Sequence, residues 1–102
     1  MKYVLTWRKK RHGTTADYED GQRRIVTMMR DWRRPDGVRI HEFLVKVGEP
    51  GGFVVFEADD LAAVHRETAV FSMLNFTVEP VVDIDEALAA VGQAIEWRDA
   101  VV

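Results

Sequence analysis

Apolar positions along the chain switch between two periods, and the switches mark out the elements. Tyr3, Leu5 and Trp7 alternate with Val4, Thr6 and Arg8, the two-residue period of a strand. Arg8-Lys9-Lys10-Arg11-His12-Gly13 closes this strand in a basic loop, and Thr14 or Thr15 stands where a helix N-cap is wanted. From Ala16 to Arg33, Tyr18, Gln22, Ile25, Met29 and Trp32 fall on one stripe, with Met28 at its edge. That spacing predicts an amphipathic helix, slightly weakened by Gly21. Arg34-Pro35-Asp36-Gly37 ends it with turn chemistry, and Val38 to Val47 predicts a second strand rich in β-branched and aromatic residues.

The clearest punctuation lies between Gly52 and Asp83. Gly48-Glu49-Pro50-Gly51-Gly52 is a short, turn-rich link, so strands two and three should form an antiparallel hairpin. Phe53-Val54-Val55-Phe56-Glu57-Ala58 is the third strand, Asp59-Asp60 supplies cap chemistry, and a helix is predicted from Leu61 to about Ser72. Asn75 to Val82 returns as a strand. Asp83 and Asp85 then flank the start of a third helix with Ile84, Leu88, Val91 and Ile95 on one stripe.

The chain thus repeats one unit and predicts the order β-α-β-β-α-β with an added C-terminal helix. This is a ferredoxin-like α+β fold in a single domain spanning residues 1–102. Both main helices should cover one face of the sheet. The strands are apolar at both parities: Val4, Val54 and Phe56 are expected on one face, and Leu5, Trp7, Phe53 and Val55 on the other. A bare antiparallel face should be polar at alternate positions, and an exposed apolar face usually marks an interface. A homodimer packing sheet against sheet is therefore expected, with the third helix contributing through Trp97.

Composition narrows the chemistry. The absence of cysteine excludes disulfides, thiolate catalysis and Cys-based metal centres. No apolar run reaches the ~20 residues of a membrane span, and the N-terminus is a strand pattern, not a signal peptide. The expectation is a cytoplasmic protein without membrane contact. The net charge of −3 conceals a split: residues 1–46 carry twelve basic and six acidic side chains, and the remainder two and eleven. Such asymmetry suits an anionic partner or association of complementary halves, unless folding simply intermingles the two signs.

Tyr3-Val4-Leu5-Thr6-Trp7, Pro35-Asp36-Gly37-Val38, the run Gly51 to Asp60 and Phe76-Thr77-Val78-Glu79-Pro80-Val81-Val82-Asp83 together resemble a small bacterial family, domain of unknown function 3303. The resemblance covers most of the chain and is patchy across the first helix. It implies the dimeric α+β barrel, an architecture shared with cofactor-free monooxygenases, muconolactone isomerase-like enzymes, haem-degrading enzymes and ligand-sensing domains. The family pattern places a Trp-His pair late in the second strand, where this chain has Leu44-Val45. Any chemistry that pair performs in relatives is missing here, and fold likeness does not transfer function.

Candidate catalytic residues are His65, Glu57 and His41. His65 is expected on the inward stripe of the second helix with Leu61 and Thr68, facing a pocket or hydrogen-bonded within the core. His41, read on the same side as Arg39 and Phe43, suits a general base in the sheet–helix cavity or a solvated strand residue. Glu57 is the carboxylate of the strongest strand: burial would raise its pKa and make it an acid or base, whereas strand-end exposure would leave it inert. Trp7 and Tyr3 share a face and suit a ligand-binding wall or ordinary core. His12 reads as surface. No His pair has metal spacing, so no metal and no cofactor is expected. Gly48 to Gly52 precedes a strand, so its glycines read as turn formers and not as a phosphate loop.

Three readings of function remain. The first is a homodimer with a small-molecule pocket between sheet and helices. The second is a cofactor-independent oxygenase or isomerase acting on an aromatic or polyketide-like substrate, with Trp7 as pocket wall. The third is an anion- or nucleic-acid-binding module using Arg8-Lys9-Lys10-Arg11 with Arg23, Arg30 and Arg34. Against the third, the third strand lacks the RNA-recognition pattern and the chain is acidic overall.

Overall fold

In the computed structural model, which describes residues 1–10, 13–33 and 36–101, the elements follow the order read from the sequence. They are β1 (Lys2–Lys9), α1 (Thr15–Asp31), β2 (Val38–Val45), β3 (Gly51–Ala58), α2 (Leu61–Val70), β4 (Leu74–Val81) and α3 (Ile84–Ala100). The four strands form one antiparallel sheet in the order β2-β3-β1-β4, the ferredoxin-like arrangement with a C-terminal helix added. His12, Arg11, Arg34 and Pro35 lie outside the described residues.

Local chemistry sets the helix starts. Thr14 accepts from the Asp17 amide while the Asp17 carboxylate accepts from the Thr14 amide, a reciprocal capping box. Asp60 accepts from the Ala62 amide at the start of α2. Asp83 makes no cap bond. Its carboxylate instead takes the Lys2 ammonium at 2.6 Å, pinning the root of α3 to the first strand.

Register assigns the two sheet faces. Tyr3 lies opposite Phe56, Leu5 opposite Val54 and Trp7 opposite Gly52, and directly opposed residues share a face. Tyr3, Leu5, Trp7, Val54, Phe56 and Ala58 therefore form one buried face, completed by Val64, Phe71 and Leu74. Ile25, Met28, Met29 and Trp32 of the α1 segment pack against it. Val4, Thr6, Phe53 and Val55 line the opposite, open face. This corrects the face assignment from the sequence, which put Val4 with Val54 and Phe56, and Leu5 and Trp7 with Phe53 and Val55. Because β3 is apolar at both parities, alternation could not choose.

Gly51 and Gly52 are a second correction, since both belong to β3 and are buried. An ideal Cβ on Gly52 would stand 2.0 Å from the Leu44 carbonyl oxygen and 2.7 Å from Trp7 Nε1. Glycine is needed there for close approach, and only Gly48, at φ +82°, serves the turn through its backbone freedom.

The edge strand β2 carries a bulge between Ile40 and Glu42. Before it, Ile40 faces the helices opposite Phe56; after it, Phe43 does so opposite Val54. The inserted residue shifts the alternation, so His41 and Phe43 do not share a side as the sequence suggested. The other edge strand, β4, contains Pro80 opposite Tyr3.

Lys9 is buried at the end of β1. Its ammonium donates to the Tyr18 carbonyl and lies 3.6 Å from the Tyr18 ring centroid, so this member of the basic run ties β1 to α1. Helix α3 buries no residue along its 17 positions, and the molecule measures 63 × 29 × 21 Å.

Candidate functional site

Six aromatic side chains gather between the helices and the buried sheet face. Trp7 comes from β1, Trp32 from the end of α1, Phe43 and Phe56 from β2 and β3, Phe71 from the end of α2 and Phe76 from β4. Their rings meet at tilted or edge-on angles: Trp7 and Phe43 are 6.4 Å apart, Trp32 and Phe43 6.5 Å, and Trp32 and Phe71 6.0 Å. Such geometries suit the ring quadrupole. With Met29, Val54 and Val64 they enclose a cavity of about 80 Å³ that opens to solvent.

Two polar groups lie behind this apolar wall. Glu67, half-buried on α2, accepts from Trp32 Nε1 at 2.9 Å through Oε2, while Arg66 approaches its other oxygen at 3.5 Å. The Trp7 indole N–H is buried without an acceptor among the described residues. A buried donor left unsatisfied costs ~1–3 kcal/mol in a protein interior.

The sequence candidates divide between two faces. Trp7 lines the cleft. Tyr3 shares the buried face but stacks on Phe56 at 5.4 Å, away from the cavity wall. His65 is exposed, which corrects its placement on an inward stripe. The inward residues of α2 are Val64, Glu67 and Thr68, with Phe71 following, whereas Leu61 is 62% exposed. The phase follows from how α2 leaves β3, so the stripe through Leu61 and His65 points outward.

His41 and Glu57 do come together, on the open face and not in the cleft. Glu57 Oε2 lies 3.2 Å from His41 Nε2 and 3.3 Å from Arg39 Nε. The hydrogen bond with His41, then that with Arg39, holds the Glu57 carboxyl below its ordinary 4.5. That is opposite to the rise burial would have produced, because this side chain is part-exposed and flanked by cations. A carboxylate so held is a poor proton donor near neutrality.

Sequence reasoning missed Glu67 as a site residue and named Trp32 only as part of a helix stripe. The signal for Glu67 was its three-residue spacing from Val64 and four-residue spacing from Phe71, which the alternative stripe through Leu61 obscured. Of the basic residues singled out, Lys9 is turned inward, Lys10 donates to the Ser72 carbonyl at 2.9 Å and Arg23 pairs with Asp20 at 2.8 Å. Among the described residues no three His, Asp or Glu side chains are grouped to hold a metal ion, and no helix is long and apolar enough to cross a membrane.

The family described as domain of unknown function (DUF3303) matches residues 1–95. No curated protein matches the chain.

Proposed function

The chain belongs to the domain of unknown function 3303 family, and from that membership, which carries no activity, we propose that it binds a small, largely apolar molecule in the aromatic cleft, as a homodimer joined through the open sheet face. The observation that carries the ligand reading is the cleft itself, a concave apolar surface walled by six aromatic side chains. Concave apolar sites with few polar groups are the usual form of small-molecule sites. The ligand that fits is flat and apolar, since the surface of the cavity offers it no polar atom.

An engineered cavity of about 150 Å³ accepts benzene, so the smaller one here takes a ring only if its wall yields. Met29 lines it from α1, a helix with no buried residue, and an unbranched thioether adapts readily. Binding is favoured over turnover by the placement of the acid–base candidates. His41 and Glu57 belong to the opposite face and His65 to the solvent side of α2. The homodimer draws support from the open face, where Val4, Phe53, Val55 and Leu44 lie beside Lys46, whose ammonium sits 5.3 Å from the Phe53 ring centroid.

Calorimetric titration with toluene, a single-ring apolar probe, tests the ligand reading. One saturable site is expected, abolished by the cleft-filling Val64→Phe and kept in Phe53→Lys. Binding that does not saturate, or that survives Val64→Phe in a folded protein, would overturn it. Native mass spectrometry of freshly purified protein reports subunit number and any retained small molecule together.

A further inference from the structure

The C-terminal helix is an element without a visible partner. Ile84, Leu88, Val91, Ile95 and Trp97 are 41–70% exposed, and no residue of α3 is buried. Most helical stability in proteins comes from a packed face, and α3 has no such face within one copy. Something must cover this one, and the arrangement of its residues indicates what.

Ile84, Leu88, Val91 and Ile95 recur at intervals of four, three and four residues, the seam spacing of paired helices and not the broader stripe of a helix lying on a sheet. Small residues flank that seam: Ala87 and Ala94 on one side and Gly92 on the other, with open space around Gly92. They allow a second helix to come close. The seam is complementary to itself when reversed, because antiparallel pairing centred between Leu88 and Val91 sets Ile84 against Ile95 and Leu88 against Val91.

Charge weighs the same way. Asp83, Asp85 and Glu86 crowd the N-terminal end, and the last turns carry Glu96 and Asp99 beside the one base, Arg98. Parallel pairing would set the three N-terminal acids against three more. Antiparallel pairing sets them against the less acidic end, with Arg98 of one copy within about one turn of Asp83 in the other, and opposes the two helix dipoles. The root of α3 is tied by Asp83 to Lys2, whose strand position belongs to the open face, so paired arms would flank copies meeting through that face.

We propose that α3 is a dimerisation arm that pairs antiparallel with α3 of a second copy. The pairing specifies the homodimer reading above and rests on it. Two such arms bury on the order of 1,000 Å² in total, near the lower limit for a specific interface, and contact through the sheet faces supplies the rest.

Cross-linking and sedimentation test it, and the lack of native cysteine makes introduced thiols unambiguous. Ile84→Cys mixed with Ile95→Cys should give a heterodimeric disulfide on oxidation, and Ile84→Cys alone should not link to itself. Leu88→Asp with Val91→Asp should weaken the dimer roughly tenfold or more and lower far-ultraviolet helicity, with binding of the single-ring probe in the cleft unchanged. Self-linking of Ile84→Cys would overturn the antiparallel pairing. A dimer that survives the Leu88 and Val91 changes but is lost in Phe53→Lys would overturn the arm while leaving the sheet-face dimer intact. A monomeric parent protein would sink both.

Discussion

Replacing Gly52 with alanine probes the sheet at its tightest point. Strand β3 is interior, with β2 on one side and β1 on the other. The added methyl would stand 2.0 Å from the Leu44 carbonyl oxygen, and 2.7 and 2.8 Å from Trp7 Nε1 and Cε2, against a normal separation of ~3.5 Å. Gly52 does not use a positive φ, so alanine would by itself stabilise by about 0.4–1 kcal/mol through the unfolded chain. The opposing effect is larger. Leu44 contributes backbone in a strand paired to β3, so it cannot withdraw without loosening the ladder. Overpacking typically costs about 1–3 kcal/mol, and each ladder hydrogen bond lost about 1 more. The net expectation is a destabilisation of about 2–3 kcal/mol, or a fall in Tm of roughly 10–20 °C for a domain near 100 residues. Urea and thermal unfolding followed by tryptophan emission measure it directly, because Trp7 is one of the displaced groups. If Gly52→Ala proves as stable as the parent, the close-packing argument is wrong.

Three further outcomes are expected. Trp32→Phe removes the donor to Glu67 and should cost about 1–2 kcal/mol in urea unfolding, with weaker probe binding in the cleft. Thr14→Ala breaks the capping box of α1 and should lower stability by about 0.5–2 kcal/mol, a loss that Thr14→Ser largely avoids. Glu57 has a folded-state pKa below its ordinary 4.5, so its ion pairs add stability above that value and lose it as pH falls through the lowered one. Glu57→Gln should therefore flatten the acid limb of stability against pH below 4.5, and an unchanged limb would show that its partners contribute nothing.

The element order was legible because period and punctuation agree along the whole chain: Tyr3-Leu5-Trp7 alternate, Asp59-Asp60 cap, and Gly48-Glu49-Pro50 turn. The faces were not, since Phe53 to Phe56 is apolar at both parities and only pairing with β1 distinguishes them. Helix α2 shows the same limit. Alanines at 62, 63 and 69 leave stripes through Leu61 and through Val64 equally acceptable, and the connection from β3 decides between them. No glycine or proline marks the bulge beside His41, so the meeting of His41, Arg39 and Glu57 could not be read without the register. Trp7 falls on the buried face because a large aromatic on a central strand has few other places to go.

The bulge in β2 and Pro80 in β4 have a consequence for how this sheet can grow. Each edge of a sheet is a template on which another chain can add a strand. Here one edge is interrupted between Ile40 and Glu42 and the other carries a residue with no backbone N–H to offer. Strand-by-strand extension is obstructed at both rims, so a protein with so much exposed apolar surface is steered away from fibre formation. The homodimer proposed above, laid flat across the open face, needs neither edge.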